Sequence, residues 1–110
     1  MLVKKKVPIS SCYLRNRGLE LNCFNQKQTT LYNNVLTSIQ EKGLINPLTV
    51  VVDGDRYKVC VGNNRYLACK ELGITEVDIV IAKSESVEDL RECYNEYQKV
   101  FKDDSPFINT

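Results

Sequence analysis

The sequence contains no histidine, no tryptophan and a single methionine among its 110 residues. Without histidine the usual general base near neutral pH is missing, and so is every Ser-His or Cys-His nucleophile pair. A zinc site would have to be built from cysteines. Yet Cys12, Cys23, Cys60, Cys69 and Cys93 are odd in number, widely spaced and without a C-x-x-C pair. They read as reduced, mostly packed thiols. Charge of one sign is lacking too: 15 Lys and Arg stand against 14 Asp and Glu, a net charge of +1, which gives no broad electrostatic grip on nucleic acid. The one basic run, Lys4-Lys5-Lys6, reads as a solvated N-terminal arm. No apolar run approaches the ~20 residues of a membrane helix, and no signal-type h-region follows the lysines. A cytoplasmic protein without a membrane partner is therefore expected. Neither G-x-x-x-x-G-K-[ST] nor G-x-G-x-x-G occurs, which excludes the familiar nucleotide loops.

What is present is a single domain over residues 1–110, long enough for one core. Val7-Pro8-Ile9-Ser10 reads as a short edge strand, where proline is tolerated. Asn16-Arg17-Gly18 reads as a turn, and Leu19-Glu20-Leu21 as a second brief extended piece. From Gln28 the signals sharpen. Leu31, Val35, Leu36 and Ile39 follow helical spacing, with Thr29 or Thr30 as cap and Gly43 just past the end. "LTVVV" at 48–52 is a β-branched strand buried on both faces. Asp53-Gly54-Asp55 is a hairpin turn. Residues 56–61 then alternate, with Tyr57, Val59 and Val61 on one face and Arg56, Lys58 and Cys60 on the other. A helix over 64–72 ends at Gly73, with Ile74 placed for the contact of a glycine C-cap. Val77, Ile79 and Ile81 alternate in the last strand.

Ser86 and Asp89 form a capping box for a final helix over 86–101. Its stripe of Val87, Leu90, Tyr94, Tyr97 and Phe101 serves either core packing or docking of a protein partner or second copy. The element order defines a small α+β domain, a mixed β-sheet with about three helices.

The junction "VGNNRYLA" carries the chemistry. A strand delivers the chain to Gly62 and a helix starts at once. A helix N-terminus has up to four N–H groups without intrahelical partners and about half a positive charge. Asn63 or Asn64 can cap it, leaving the other amide for a ligand, and Arg65 in the first turn opposes the dipole unless an anion sits nearby. Together these make a competent phosphate cradle; an ordinary strand-to-helix corner has the same pattern. "SIQEKGLINP" places a second loop, 43–47, at the other arm of the 48–61 hairpin, so both loops are expected to flank one crevice.

These residues resemble the ParB-like N-terminal domain, the superfamily that also holds sulfiredoxin and some small-molecule kinases. The features are Ser38-Ile39 at a helix end, Gly43-Leu44-Ile45-Asn46-Pro47, the hairpin, Gly62-Asn63-Asn64-Arg65-Tyr66-Leu67-Ala68 and the closing Leu72-Gly73, together covering about 28–82. The resemblance implies a pocket for the triphosphate of CTP or ATP with Mg2+, held by Gly43, Gly62 and Arg65, with Ser38 and Asn46 beside them. It implies departures as well. Asn63 and Asn64 stand where partition proteins typically carry glutamate and arginine, which weakens the case for magnesium-assisted hydrolysis. Asn63 also stands where sulfiredoxin places its catalytic cysteine, so sulfinic acid reduction is not expected. The helix-turn-helix reader of partition ParB is expected to be missing, as after a single helix the sequence ends.

Three functions follow: a stand-alone nucleotide-binding module acting as a weak NTPase or switch in a DNA-related process; a DNA- or protein-binding accessory protein that has lost the nucleotide, using Lys4, Lys5, Lys6, Arg15 and Arg17; and a kinase relative, whose base candidates are Glu20, Asp53, Asp55 and Asp78. The size suggests a phage or mobile element.

Overall fold

The computed structural model describes residues 4–15, 30–44 and 46–100, the last four of these as helix backbone alone. The elements are β1 (Lys5–Pro8), a 3-10 turn (Ile9–Ser11), β2 (Cys12–Leu14), α1 (Thr30–Lys42), β3 (Leu48–Asp53), β4 (Arg56–Val61), α2 (Asn63–Glu71), β5 (Glu76–Ile81) and α3 (Val87–Val100). The α+β architecture with a mixed sheet and three helices is as expected. The extended piece at 19–21, the turn at 16–18, Thr29, Cys23 and Phe101 lie outside the described residues.

The five strands run in the order β1-β5-β3-β4-β2. Pairing alternates: β1 is antiparallel to β5, β5 parallel to β3, β3 antiparallel to β4, and β4 parallel to β2. The two edge strands are consecutive in sequence, joined only by Ile9–Ser11. A flat five-stranded sheet would hold its edges about 19 Å apart, whereas a one-turn 3-10 link spans roughly 8 Å. The sheet must therefore curl until its edges nearly meet. Val7 from one edge and Cys12 and Leu14 from the other share one core with Leu48, Val50, Val59, Val77 and Ile79. Helices α1 and α2 close this side through Tyr32, Val35, Ile39, Tyr66, Leu67 and Ala68. Tyr66 Oη donates to the Cys12 carbonyl at 3.1 Å, tying α2 to the closing strand.

On α1 the buried tyrosine is Tyr32, while Leu31 is 58% exposed. At 100° per residue Tyr32 lies roughly 20° from Ile39 and Leu31 roughly 80°, so the tyrosine is nearer the stripe's centre.

On β4, Val61 packs against the opposite side of the sheet from Val59, contrary to simple alternation. The cause is a bulge. Val61 pairs with Thr49 and Val59 with Val50, which leaves Cys60 as the extra residue. The strand is thus re-aimed immediately before Gly62.

The other side of the sheet carries a second, smaller core of Val51, Cys60, Val80, Ala82, Leu90 and Cys93 beneath α3. The 87–101 stripe is therefore not one core face. Leu90 and Cys93 are buried, while Val87 is 68% and Tyr94 40% exposed. Ile81 is likewise exposed, and Ala82 takes the buried place after Val80. At the start of α3 the Asp89 N–H donates to Ser86 Oγ at 3.1 Å, but the Asp89 carboxylate accepts from the Ser84 hydroxyl at 2.6 Å instead of reaching back to the cap. Ser86→Ala is expected to cost about 1 kcal/mol, read as a lower urea midpoint at unchanged slope.

The basic run is not a free arm. Lys5 and Lys6 belong to β1, Lys4 and Lys6 flank Asp78 at 3.9 and 3.7 Å, and Lys5 donates to Tyr57 Oη at 3.3 Å. Among the described residues no helix is long and apolar enough to cross a membrane.

Candidate functional site

The bulged end of β4 delivers the chain to Gly62, which has φ 103° and ψ 35° and serves as the N-cap of α2. Neither asparagine is the cap; Asn63 and Asn64 are the first two helical residues and half-buried. Tyr66 N–H closes the first helical turn onto the Gly62 carbonyl at 2.9 Å. A glycine cap brings no side-chain oxygen to the helix N-terminus, so nothing from the cap itself competes with an incoming anion. At its far end α2 closes as a full Schellman motif: Ile74 N–H bonds the Cys69 carbonyl at 3.0 Å and Gly73 N–H the Lys70 carbonyl at 3.2 Å.

Arg65, whose fork was expected to be able to reach an anion at the helix end, is only 6% exposed. Its Nη1 donates to the carbonyls of Asn46 at 3.0 Å and Pro47 at 2.7 Å. A β-carbon placed on Gly62 would stand 3.0 Å from Arg65 Nη2, 3.1 Å from its Cζ and 2.9 Å from Leu48 Cδ2. The guanidinium is therefore layered between Gly62 and the 46–47 carbonyls. This accounts for the G-x-x-R spacing: long side chains on a helix lie back over the residue three positions earlier. Two carbonyls accept from Nη1, and the guanidinium sits buried behind the α2 N-terminus.

Arg65 ties residues 46 and 47 of the other loop to the start of α2. Asn46 is 3% exposed and Pro47 is buried beside it. Gly43 follows α1 with its N–H on the Ile39 carbonyl at 2.8 Å. Ser38 is half-buried on α1, which packs against α2. Reading the sequence missed the Pro47 carbonyl and Leu48 as parts of this junction. The signal was available in the three-residue spacing of glycine and arginine, but their acceptors lie 18 and 19 residues away.

The base candidates are elsewhere. Asp53 and Asp55 sit at the tip of the β3–β4 hairpin, about 17 Å of strand from the junction, and Asp53 accepts from the Tyr13 hydroxyl. Asp78 alternates with the core residues Val77 and Ile79, and so points away from α2 toward Lys4 and Lys6. Glu20 lies outside the described residues. No group of three His, Cys, Asp or Glu suited to a metal occurs among the described residues. The four described cysteines are buried free thiols. Burial pushes Cys69 up to about 11 against the opposing pull of the Arg65 charge, and Cys12 is raised by the same desolvation. Such thiols are protonated and poor nucleophiles at neutral pH.

A curled mixed sheet with a strand-glycine-helix junction clasped to a neighbouring loop defines an α+β domain of the ParB/sulfiredoxin kind. The family model for the ParB N-terminal domain matches residues 20–96, and the chain belongs to that family. The probable chromosome-partitioning protein ParB of Borreliella burgdorferi is 40% identical over 43 residues, 39% of this chain and 16% of that protein. The match thus spans about a sixth of that relative's length. Among solved structures, the fold resembles a C-terminally truncated chromosome-partitioning protein ParB from Caulobacter crescentus complexed with CTP-gamma-S. The TM-score is 0.61 at 17% identity, over 94% of this chain and 55% of that one. Sulfiredoxin from Arabidopsis thaliana gives a TM-score of 0.55 at 23% identity, over 86% and 97%.

Proposed function

We propose that this chain is a ParB-like nucleotide-binding module that takes the phosphates of CTP or ATP between the 43–47 loop and the first turn of α2, and works as a switch or weak NTPase in a DNA-related process. The observation that carries the reading is the junction itself: a helix N-terminus capped by glycine, backed by the buried Arg65 charge and faced by the loop that Arg65 holds. The relative complexed with CTP-gamma-S supports it. Phosphate oxygens would meet the first-turn N–H groups and the amides of Asn63 and Asn64, with Gly43 and Ser38 on the α1 side. Mg2+ would be held chiefly by phosphate oxygens and water, as is usual for this ion, with the Asn63 amide oxygen in reach of the same end. Helix α3 (Val87–Val100), with Val87 and Tyr94 exposed, is the proposed contact for a protein partner or second copy.

The test is a thermal-shift and calorimetric comparison of CTP, ATP, GTP and UTP with Mg2+. A nucleotide at ~100 times its Kd adds roughly 2.7 kcal/mol, a shift on the order of 10 °C for a domain of this size. Asn64→Asp is the informative variant. A first-turn carboxylate favours the helix dipole, so unliganded stability should hold or rise by about 0.5 kcal/mol, while phosphate affinity falls about tenfold by like-charge repulsion. No binding of any nucleotide at millimolar concentration would overturn the reading and leave an accessory protein that keeps the fold as a scaffold for DNA or protein.

A further inference from the structure

We infer that Arg65 is a positioning residue of this site: it acts on the nucleotide through the 46–47 loop, and the G-x-x-R spacing encodes a clasp between that loop and the start of α2. The inference rests on the nucleotide-binding reading above but goes beyond it in what it assigns to each group. Nη1 is committed to two carbonyls at 2.7 and 3.0 Å. The guanidinium carbon and Nη2 lie against the Gly62 backbone. The side chain is nearly all buried, and Leu48 closes the far side of Gly62. With Nη1 held by both carbonyls and the residue only 6% exposed, the guanidinium is seated as an internal strut. Contact with phosphate falls instead to the first-turn N–H groups and the side chains of Asn63 and Asn64, which are half-exposed at the same end.

A lysine at this position keeps the charge but not the planar guanidinium, whose Nη1 bonds two carbonyls while Nη2 and Cζ lie beside Gly62. Arg65→Lys therefore separates a clasp from a phosphate contact. Affinities of the native chain and the variant for CTP, CMP, ATP and AMP would be measured well below the melting temperature of each, with circular dichroism showing both folded. Amide exchange at Asn46 and Leu48 would be followed without nucleotide. A clasp gives faster exchange at those two amides and a loss of about tenfold or more in affinity. It also leaves the triphosphate-to-monophosphate ratio unchanged within about twofold, since every phosphate is met by groups other than Arg65. A purely structural arginine would leave the affinity of the folded variant at the native value, and that result overturns the inference. So does a ratio that collapses, because it would mark Arg65 as a phosphate ligand. Should the native chain bind none of the four, the nucleotide reading fails by itself. The clasp then stands or falls on the exchange rates, with unchanged protection at Asn46 and Leu48 counting against it.

Discussion

Gly62→Ala should lower the melting temperature by roughly 10–20 °C, the largest effect expected of any small substitution in this chain. Two costs combine. Gly62 has φ 103°, where an L-residue is strained by about 1–3 kcal/mol. Its new β-carbon would stand 2.9 Å from Leu48 Cδ2 and 3.0 Å from Arg65 Nη2, and overpacking of this kind costs about 1–3 kcal/mol. Neither neighbour has room to give: Leu48 is fully buried, and Arg65 is tied to two carbonyls. The sum, about 3 kcal/mol or more, converts at roughly 4–8 °C per kcal/mol for a small domain. Gly43→Ala is the control. Its φ is 77°, but nothing lies within 4 Å of the added carbon, so only the backbone cost of about 1 kcal/mol remains. Equal losses for the two variants, measured by calorimetry, would show that the Gly62 contacts are soft and that the guanidinium can leave its seat.

Tyr66→Ala should come close to unfolding the domain. Tyr66 is among the largest fully buried side chains, and its hydroxyl reaches the Cys12 carbonyl on the strand that closes the curled sheet. Truncating a buried aromatic to alanine costs about 3–5 kcal/mol, against a total of about 5–15 kcal/mol for an ordinary domain. Tyr66→Phe divides the effect. It keeps the ring and leaves a buried carbonyl without its donor, worth about 1–2 kcal/mol. Urea denaturation of both variants gives the two numbers. A phenylalanine variant as stable as the native chain would mean that packing alone joins α2 to β2 and that the hydroxyl contributes nothing to closure.

The family and most of its elements could be read from the residues because the relevant signals are local. Gly43 and Gly73 end their helices in the next peptide or two, and the Schellman bonds from Gly73 and Ile74 involve residues 69 and 70 of the same helix. The Asp53-Gly54-Asp55 turn sets the hairpin register within six residues on either side. Ser86 caps α3 three residues on. Where expectation failed, a distant partner intervened. Val61 changed sides because its pairing with Thr49, on another strand, leaves Cys60 as a bulge. The stripe on α3 split because the sheet offers it only a small apolar area, filled by Leu90 and Cys93.

Sequence alone thus determined the α+β class, the helix at 30–42, the hairpin, the strand-glycine-helix junction and the family they compose. Each of these follows from backbone preferences and periodicities spanning fewer than about 15 residues, and such preferences act before any tertiary contact forms. Only the tertiary structure decided that β1 and β2 close the sheet from opposite edges. Only there did Gly62 emerge as the cap, and Arg65 as the donor to the Asn46 and Pro47 carbonyls. Those outcomes depend on which distant groups are left needing a partner once the core is packed. A buried carbonyl 18 residues away exerts no pull on an arginine until the hairpin between them has folded.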